Sequence, residues 1–426
     1  MSPATSYVRR EIDAELDLLF PDLPAVSLDG PKGVGKTETA LRRAASVFRL
    51  DIDADRQVVA ADPPAALAAA KPILIDEWQY LPLVWDAVRR AVDADSSPSS
   101  FLLTGSASPV ARLHSGAGRI VPLHMRPMTL FERGIEEPTV SLSALLEGKR
   151  AIDGSTSIRL RTYVEEILRS GFPGIRTSTL PRVVRARLDG YLERLVDHEI
   201  VENGLGERRP AALRQWLTAY AAATATTTSF EKIRDAATAE LANPPAKATS
   251  ATYREALLRL WILDPVEAWL PGTRHLSRLA AAPKHHLTDP ALAARLLGVT
   301  ADALLAPRRP DDPQPRDGAL LGQLFESLVT LNVRVSAQGA EARVAHLRTR
   351  GGEHEVDLIV TGEGGRVLAL ETKATAAPDL ADAKHLLWLK NQLGDQLIDM
   401  VLVTTGPYAY RRPDGVAVVP AALLGP

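Results

Sequence analysis

The sequence predicts an α/β protein in three parts, residues 1–150, 151–305 and 306–426. Three observations carry that prediction. A glycine-rich loop sits between a short apolar run and a helical pattern within residues 24–48. The middle of the chain, roughly 155–300, carries helical periodicity. After a proline-rich stretch, a helical face is followed by apolar segments with strand character. Composition sets the outer bounds. A length of 426 residues fits two to three domains. The 46% hydrophobic and 24% charged fractions are those of an ordinary globular chain. A net charge of −2 gives no whole-molecule attraction to nucleic acid, although a local basic groove is compatible with it. With no cysteine there are no disulfides and no cysteine-ligated zinc. The N-terminus lacks the apolar core of a signal peptide, and no stretch approaches a membrane span. The expectation is a cytoplasmic protein with no membrane partner.

Residues 7–19 read as an amphipathic helix, with Val8, Ile12, Leu16 and Leu19 on one face and a packing role. Pro24 to Leu28 reads as a short buried strand. The loop follows: Gly30, Pro31, Lys32, Gly33, Val34, Gly35, Lys36, Thr37 and Glu38 contain G-x-x-x-x-G-K-[ST]. Glycines let consecutive backbone N–H groups turn inward around phosphate oxygens. Lys36 would reach the β- and γ-phosphates, and the Thr37 hydroxyl would hold Mg²⁺. A helix expected over Thr37–Phe48 would point its positive end at the anion.

Pro72-Ile-Leu-Ile-Asp76-Glu77 reads as a buried parallel strand ending in two acids. Ligands of open α/β sheets lie beyond the carboxyl ends of strands. Asp76 therefore suits a Mg²⁺ contact, and Glu77 suits polarising an attacking water. The next strand, Ser100 to Ser106, ends in hydroxyls, with Thr104 or Ser106 placed to sense a γ-phosphate. Ile120 to Met125 reads as a further strand. Arg119, just before it, is a candidate finger acting in cis or from a neighbouring subunit of an oligomer, in competition with Arg112 and Arg126.

These segments resemble the AAA-type bacterial and archaeal ATPases that carry a C-terminal domain of unknown function. The resemblance rests on Gly30 to Thr37, Ile75-Asp-Glu-Trp-Gln-Tyr-Leu-Pro82, Leu103-Thr-Gly-Ser106 and the run Gly118 to Glu132. It implies an additional-strand (ASCE) P-loop core that binds ATP with Mg²⁺. Lys32 and Trp78 stand where arginine and isoleucine are common in that family, and neither change removes a phosphate or metal group.

In the middle region, Arg161 to Arg169 is a helix stopped near Gly171 and Pro173. Three helical runs within 211–262, followed by Asp264–Pro271 as a candidate wing, resemble a winged helix-turn-helix. Arg254 and Arg259 are the modest basic content of the third run. Pro283 to Pro290 resembles the family's lysine–aromatic–aspartate strand. Its adjacent His285 and His286 would face opposite sides of a strand and cannot share an ion.

After four prolines between Pro307 and Pro315, Leu320–Leu331 reads as a helix carrying Glu326. Three strands follow, at Ala342–Arg348, His354–Val360 and Arg366–Lys373. Asp357 lies on the second, and Glu371 and Lys373 share a face of the third. A helix over Asp382–Leu393 and a strand at Met400–Thr404 complete the set. This arrangement resembles the PD-(D/E)xK, restriction-endonuclease-like fold. There, two carboxylates matching Asp357 and Glu371 bind Mg²⁺ or Mn²⁺, and a lysine matching Lys373 activates water. The resemblance implies a nucleic-acid partner, with DNA favoured over RNA. Two other readings stay open: an ATP-dependent DNA-binding switch or repressor-like protein with a vestigial nuclease fold, and an ATP-dependent protein-assembly factor.

Overall fold

The computed structural model describes residues 7–106, 117–200, 210–238, 247–269, 282–306, 318–349 and 351–426. Arg112 and most of the proline-rich run lie outside the described residues. The chain divides into two compact units. The first is residues 1–126 with 172–174 and 257–262; the second is 127–171, 175–256 and 263–426. Residues 127–150, assigned to the first part in the sequence reading, group with the second unit.

The first unit is built on a five-stranded parallel sheet. Its strands are β1 (Ala25–Asp29), β2 (Ser46–Arg49), β3 (Ile73–Asp76), β4 (Phe101–Gly105) and β5 (Ile120–His124), in the order β2-β3-β4-β1-β5. Strand β4 inserts between β1 and β3, as an additional-strand P-loop sheet requires. Strands β1, β3 and β4 are buried along their whole length, so they read as apolar runs without alternation. Helices α1 (Glu11–Leu19), α2 (Lys36–Leu41), α3 (Asp53–Ala61), α4 (Pro63–Ala66) and α5 (Leu83–Ala94) connect and flank the strands. Trp78, Trp85, Val84 and Val88 pack with Ile73, Ile75, Phe101 and Leu103 into one core cluster, the two indoles 4.9 Å apart.

The helix expected over Thr37–Phe48 is a correction. Helix α2 ends at Leu41, and Ser46–Arg49 is instead the edge strand β2, paired with β3 from Ser46↔Ile73 to Arg49↔Asp76. Ala44, Ala45 and Phe48 fit a helical face on paper. Val47 and Phe48 prefer a pleated surface, and an available sheet edge decides the outcome.

The second unit contains a six-stranded mixed sheet, order β11-β12-β10-β9-β8-β7. Its strands are β7 (Arg343–Arg348), β8 (Glu355–Thr361), β9 (Val367–Lys373), β10 (Leu397–Thr404), β11 (Tyr410–Arg411) and β12 (Ala417–Pro420). Strand β8 runs antiparallel to both β7 and β9, and β9 runs parallel to β10 through the crossover helix Lys384–Leu393. The helix before them spans Gly318–Gly339, longer than expected. Strands β6 (Val140–Ser141) and β13 (Leu424–Gly425) form a small parallel pair. Helices Pro210–Ala222, Phe230–Thr238 and Lys247–Arg259 are the three runs expected in the middle. Isolated antiparallel bridges then join Leu263 to Leu287 and Val266 to Lys284, where a wing strand was expected. Among the described residues, no helix is long and apolar enough to cross a membrane.

Candidate functional site

The carboxyl ends of β1, β3 and β4 meet along one edge of the first sheet. Gly30 follows β1, and its backbone passes so close to β5 that an added Cβ would lie 2.2 Å from the Met125 carbonyl oxygen. Gly35 caps α2 at φ +112°, in the left-handed region that a side chain resists. Between them the loop wraps back on itself. The Lys36 Nζ donates to the Gly30 and Pro31 carbonyls at 2.8 and 3.0 Å. Burial lowers the Lys36 pKa to about 8, against the pull of Glu77, Asp29 and Asp76. Asp29, buried at the end of β1, is pushed up to about 6 by the same burial.

Asp76 is the hub of this edge. The Thr37 hydroxyl donates to its Oδ1 at 2.8 Å, and the Thr104 hydroxyl donates to the same oxygen. Register explains the second bond: Ile75 of β3 lies beside Leu103 of β4, so the next residues meet. Thr104 also accepts from the Glu77 backbone N–H at 3.3 Å. Glu77 leaves the strand at φ +53°, ψ +49°, left-handed backbone that costs a non-glycine residue about 1–2 kcal/mol. Its Oε2 accepts from the Ser106 hydroxyl at 3.1 Å and from the Gln79 amide. Lys36, Thr37, Asp76, Glu77, Thr104 and Ser106 thus come together on one edge.

Arg119 does not join them in the same chain. Ile120 pairs with Ala25 at the start of β1, whereas His124 pairs with Asp29 beside the loop. Arg119 therefore lies at the opposite edge, roughly 15 Å away at strand rise. It is an exposed residue paired with Asp93 at 2.7 Å. Arg126, which follows β5, is at the loop edge. The sequence reading missed Arg10. Its buried guanidinium donates to the carbonyls of Val34, inside the loop, and Arg126, at 3.0 and 2.7 Å. Asp13, one turn on, accepts from Arg43 at 2.9 Å. Helix α1 thereby braces the loop and the α2 turn as well as packing.

In the second unit, Glu326, Asp357, Glu371 and Lys373 also come together, around a fifth residue that the sequence reading passed over. The Lys284 Nζ, with no solvent exposure, lies 2.7 Å from Glu326, 3.0 Å from Asp357 and 3.1 Å from Glu355. Burial opposes its charge, but Asp357, Glu326 and Glu355 hold its pKa well above the ordinary lysine value. Burial likewise opposes ionisation of Asp357, yet Lys284 and two 2.9 Å bonds from Thr372 keep it below the usual carboxylate range. Lys373 pairs with Glu371 at 2.8 Å. Burial and the neighbouring Asp357 push Glu371 up to about 8, and its Oε2 has no hydrogen-bond partner. Asp357 and Glu371 are the residues expected to hold a metal. A divalent ion on Asp357 Oδ1 would sit within van der Waals reach of an ammonium, and the residues as placed do not fit one. Among the described residues, no group of three or more histidine, aspartate and glutamate side chains is arranged to hold a metal. The signal available in the sequence was the lysine of Pro283–Pro290, the segment compared with the family's lysine–aromatic–aspartate strand.

Comparison with known proteins divides the chain similarly. An AAA domain matches residues 22–133, and two domains of unknown function, DUF8612 and DUF4143, match residues 160–303 and 321–424. The N-terminal part is an AAA-type P-loop domain. Two uncharacterised mycobacterial proteins are similar over nearly the whole chain. These are Rv2008c of Mycobacterium tuberculosis strain H37Rv and Mb2031c of Mycobacterium bovis strain AF2122/97. Each is 28% identical over 425 residues, covering 97% of this chain and 83% of the relative. Among solved structures, the Aeropyrum pernix ORC2 protein in its ADPNP–ADP complexes overlaps 68% of this chain and 90% of its own. Its TM-score is 0.26 and its identity 14%, too slight an overlap to build on.

Proposed function

We propose that the chain binds ATP at Gly30–Glu38 and hydrolyses it. One observation carries this reading: two hydroxyls, Thr37 from the loop and Thr104 from β4, converge on one oxygen of Asp76, with Glu77 next in sequence. A passive anion site needs the loop alone. Turnover needs a cation ligand, a water-orienting carboxylate and a polar group sensing the last phosphate, all on one edge. The loop N–H groups and the Lys36 ammonium would hold the phosphates once the lysine releases the Gly30 and Pro31 carbonyls. Thr37 and Asp76 are oxygen donors suited to Mg²⁺, which when bound neutralises phosphate charge. Glu77 would orient the attacking water, its left-handed backbone directing the carboxylate away from the strand line. Lys36→Ala tests the assignment: it should abolish Mg²⁺-dependent phosphate release and binding of a fluorescent ATP analogue. Normal turnover in that variant would end the reading.

A second reading concerns output. Three helices followed by an antiparallel bridge pair support a winged-helix-like middle, and with it a nucleic-acid-directed module in which DNA is favoured over RNA. The Arg254 guanidinium lies over the Phe230 ring at 4.5 Å, which ties down one of the two arginines of the third helix. Fluorescence anisotropy with labelled duplex DNA and RNA, with and without ATP and across salt concentrations, tests this. Binding to neither would leave the protein-assembly reading. The carboxylate centre supports a binding role over cleavage, because the Lys284 ammonium already sits against Glu326 and Asp357.

A further inference from the structure

We propose that Lys284 is the resident cation of the carboxylate centre formed by Glu326, Glu355, Asp357 and Glu371. Its ammonium fills the position that a divalent ion would otherwise take, so the centre works without metal. This goes beyond the ATPase reading and does not depend on it.

The donor count supports the proposal first. A lysine ammonium has three N–H donors and accepts nothing. Here three carboxylate oxygens lie at 2.7–3.1 Å from Nζ, one from each of Glu326, Asp357 and Glu355. Two donors hydrogen-bond to Glu326 and Asp357, Glu355 pairs in charge at 3.1 Å, and no solvent reaches the side chain. The other Asp357 oxygen accepts from the Thr372 backbone and hydroxyl, so both its oxygens are engaged. Mg²⁺ demands near-octahedral oxygen ligands at about 2.0–2.1 Å and keeps several waters. The fully buried ammonium stands where those ligands would have to be shared.

Anchoring is the second support. The Lys284 backbone exchanges two 2.9 Å hydrogen bonds with Val266. The adjoining segment is held to β7 by the Trp269 N–H donating to the His346 carbonyl and the His346 N–H donating to Glu267, at 2.5 and 2.9 Å. His346 Nε2 lies 3.2 Å from the Ala282 carbonyl. The lysine is thus delivered from a pinned segment.

The test is Mn²⁺ binding followed by the amplitude of the free-ion electron paramagnetic resonance signal, without nucleotide. All chains carry Asp76→Asn, which removes the cation ligand of the phosphate-loop edge. The Asp76→Asn parent should bind no Mn²⁺ up to millimolar concentration. Adding Lys284→Ala should create one site, and adding Asp357→Asn to that chain should remove it. In thermal melts at pH 8, the Lys284→Ala chain should melt lower than its parent and regain stability with Mn²⁺, while the parent should not respond. A Mn²⁺ site in the parent that Asp357→Asn abolishes would overturn the proposal. So would a folded Lys284→Ala chain that binds no Mn²⁺. If Lys284→Ala does not fold, the parent and its Asp357→Asn derivative alone decide between resident lysine and resident metal.

Discussion

Glu77 offers a sharp test of the first site, because its backbone and its carboxylate make separable predictions. Glu77→Gln keeps the left-handed backbone and retains an oxygen that can accept from Ser106, but removes the charge. A positioned general base contributes about 10²–10⁴ in rate, so kcat should fall by that factor, or about 3–5 kcal/mol of barrier. ATP affinity should change little, because the phosphates are held by the loop and Lys36. Glu77→Gly removes the same carboxylate and also relieves the φ +53° strain of about 1–2 kcal/mol. Against that relief stand about 0.5–1 kcal/mol of extra unfolded-chain freedom for glycine. The bonds to Ser106 and Gln79 are also lost, at about 0.5–1.5 kcal/mol each. At mid-range values the sum is about 1 kcal/mol destabilising, so Glu77→Gly should be as inactive as Glu77→Gln yet denature in urea within about 1–2 kcal/mol of wild type. Single-turnover phosphate release, fluorescent-nucleotide binding and urea denaturation on the three chains give the three readings. If Glu77→Gln turns over ATP at the wild-type rate, Glu77 is a strand-end cap and the hydrolytic assignment fails. Loss of nucleotide binding in both variants would also sink it, by making Glu77 part of the phosphate cradle.

Three further outcomes follow from the same geometry. The folded pKa of Lys36, lowered to about 8 by burial, lies below its unfolded value of 10.5. The nucleotide-free chain should therefore gain stability as pH rises from 8 towards 10.5, where only the unfolded state keeps the proton. Nucleotide affinity should run the opposite way, flat below pH 8 and weakening by up to about tenfold per unit above it, because phosphate prefers the ammonium. Calorimetric titration across pH 7–9.5 reads the trend, and affinity that strengthens with pH refutes it. Gly30→Ala should block nucleotide binding and destabilise the first unit, since its Cβ would lie 2.2 Å from the Met125 carbonyl, which is backbone and cannot swing aside; unchanged melting and binding would contradict that close approach. In the second unit, Asp289 is fully buried and accepts from the Ser170 hydroxyl at 2.6 Å, Gly171 N at 2.7 Å and Ala291 N at 2.8 Å. Asp289→Ala should cost roughly 3–5 kcal/mol, seen in urea denaturation, because two backbone donors lose their acceptor at once; a cost under about 1 kcal/mol would mean water replaces it.

The phosphate loop and the strands around it were legible because their chemistry is local. Gly30 to Thr37 must be contiguous to curl around an anion, and Ile73-Leu-Ile-Asp76 must be contiguous to form a buried strand with an acid at its end. Glu326, Asp357, Glu371 and Lys373 were legible at one remove, through alternation along β8 and β9 and a likeness to a known arrangement. What stayed hidden was long-range or finely balanced. Arg10 reaches Arg126 across 116 positions, and Lys284 reaches Asp357 across 73. No period in the sequence encodes such a pairing. Residues 42–48 failed for the second reason: Ala44, Ala45 and Phe48 satisfy a helical face, and only the edge of β3 tips Val47 and Phe48 into a strand. Arg119 does not reach the loop edge of its own chain because the direction of β5 decides which end of the strand is the site end. A residue just before the strand lands at the far edge.

The two buried lysines show how a shared residue type acquires opposite uses. Lys36 rests its donors on two backbone carbonyls, and burial drops its pKa to about 8 against the weaker pull of Glu77, Asp29 and Asp76. A charge so poorly compensated gains from any polyanion that enters the loop, and that gain is available for binding a triphosphate. Lys284 is buried among three carboxylates that hold its proton firmly. Its ammonium hydrogen-bonds to Glu326 and Asp357 and pairs with Glu355, so a second cation at the same place would meet its charge. Removing one partner of such a group typically costs about 3–5 kcal/mol because the rest is left buried and uncompensated. The first lysine therefore advertises a ligand and the second replaces one. On that contrast, the proposed nucleotide chemistry falls to the loop at Gly30–Glu38, and the proposed carboxylate centre is one already neutralised by its own lysine.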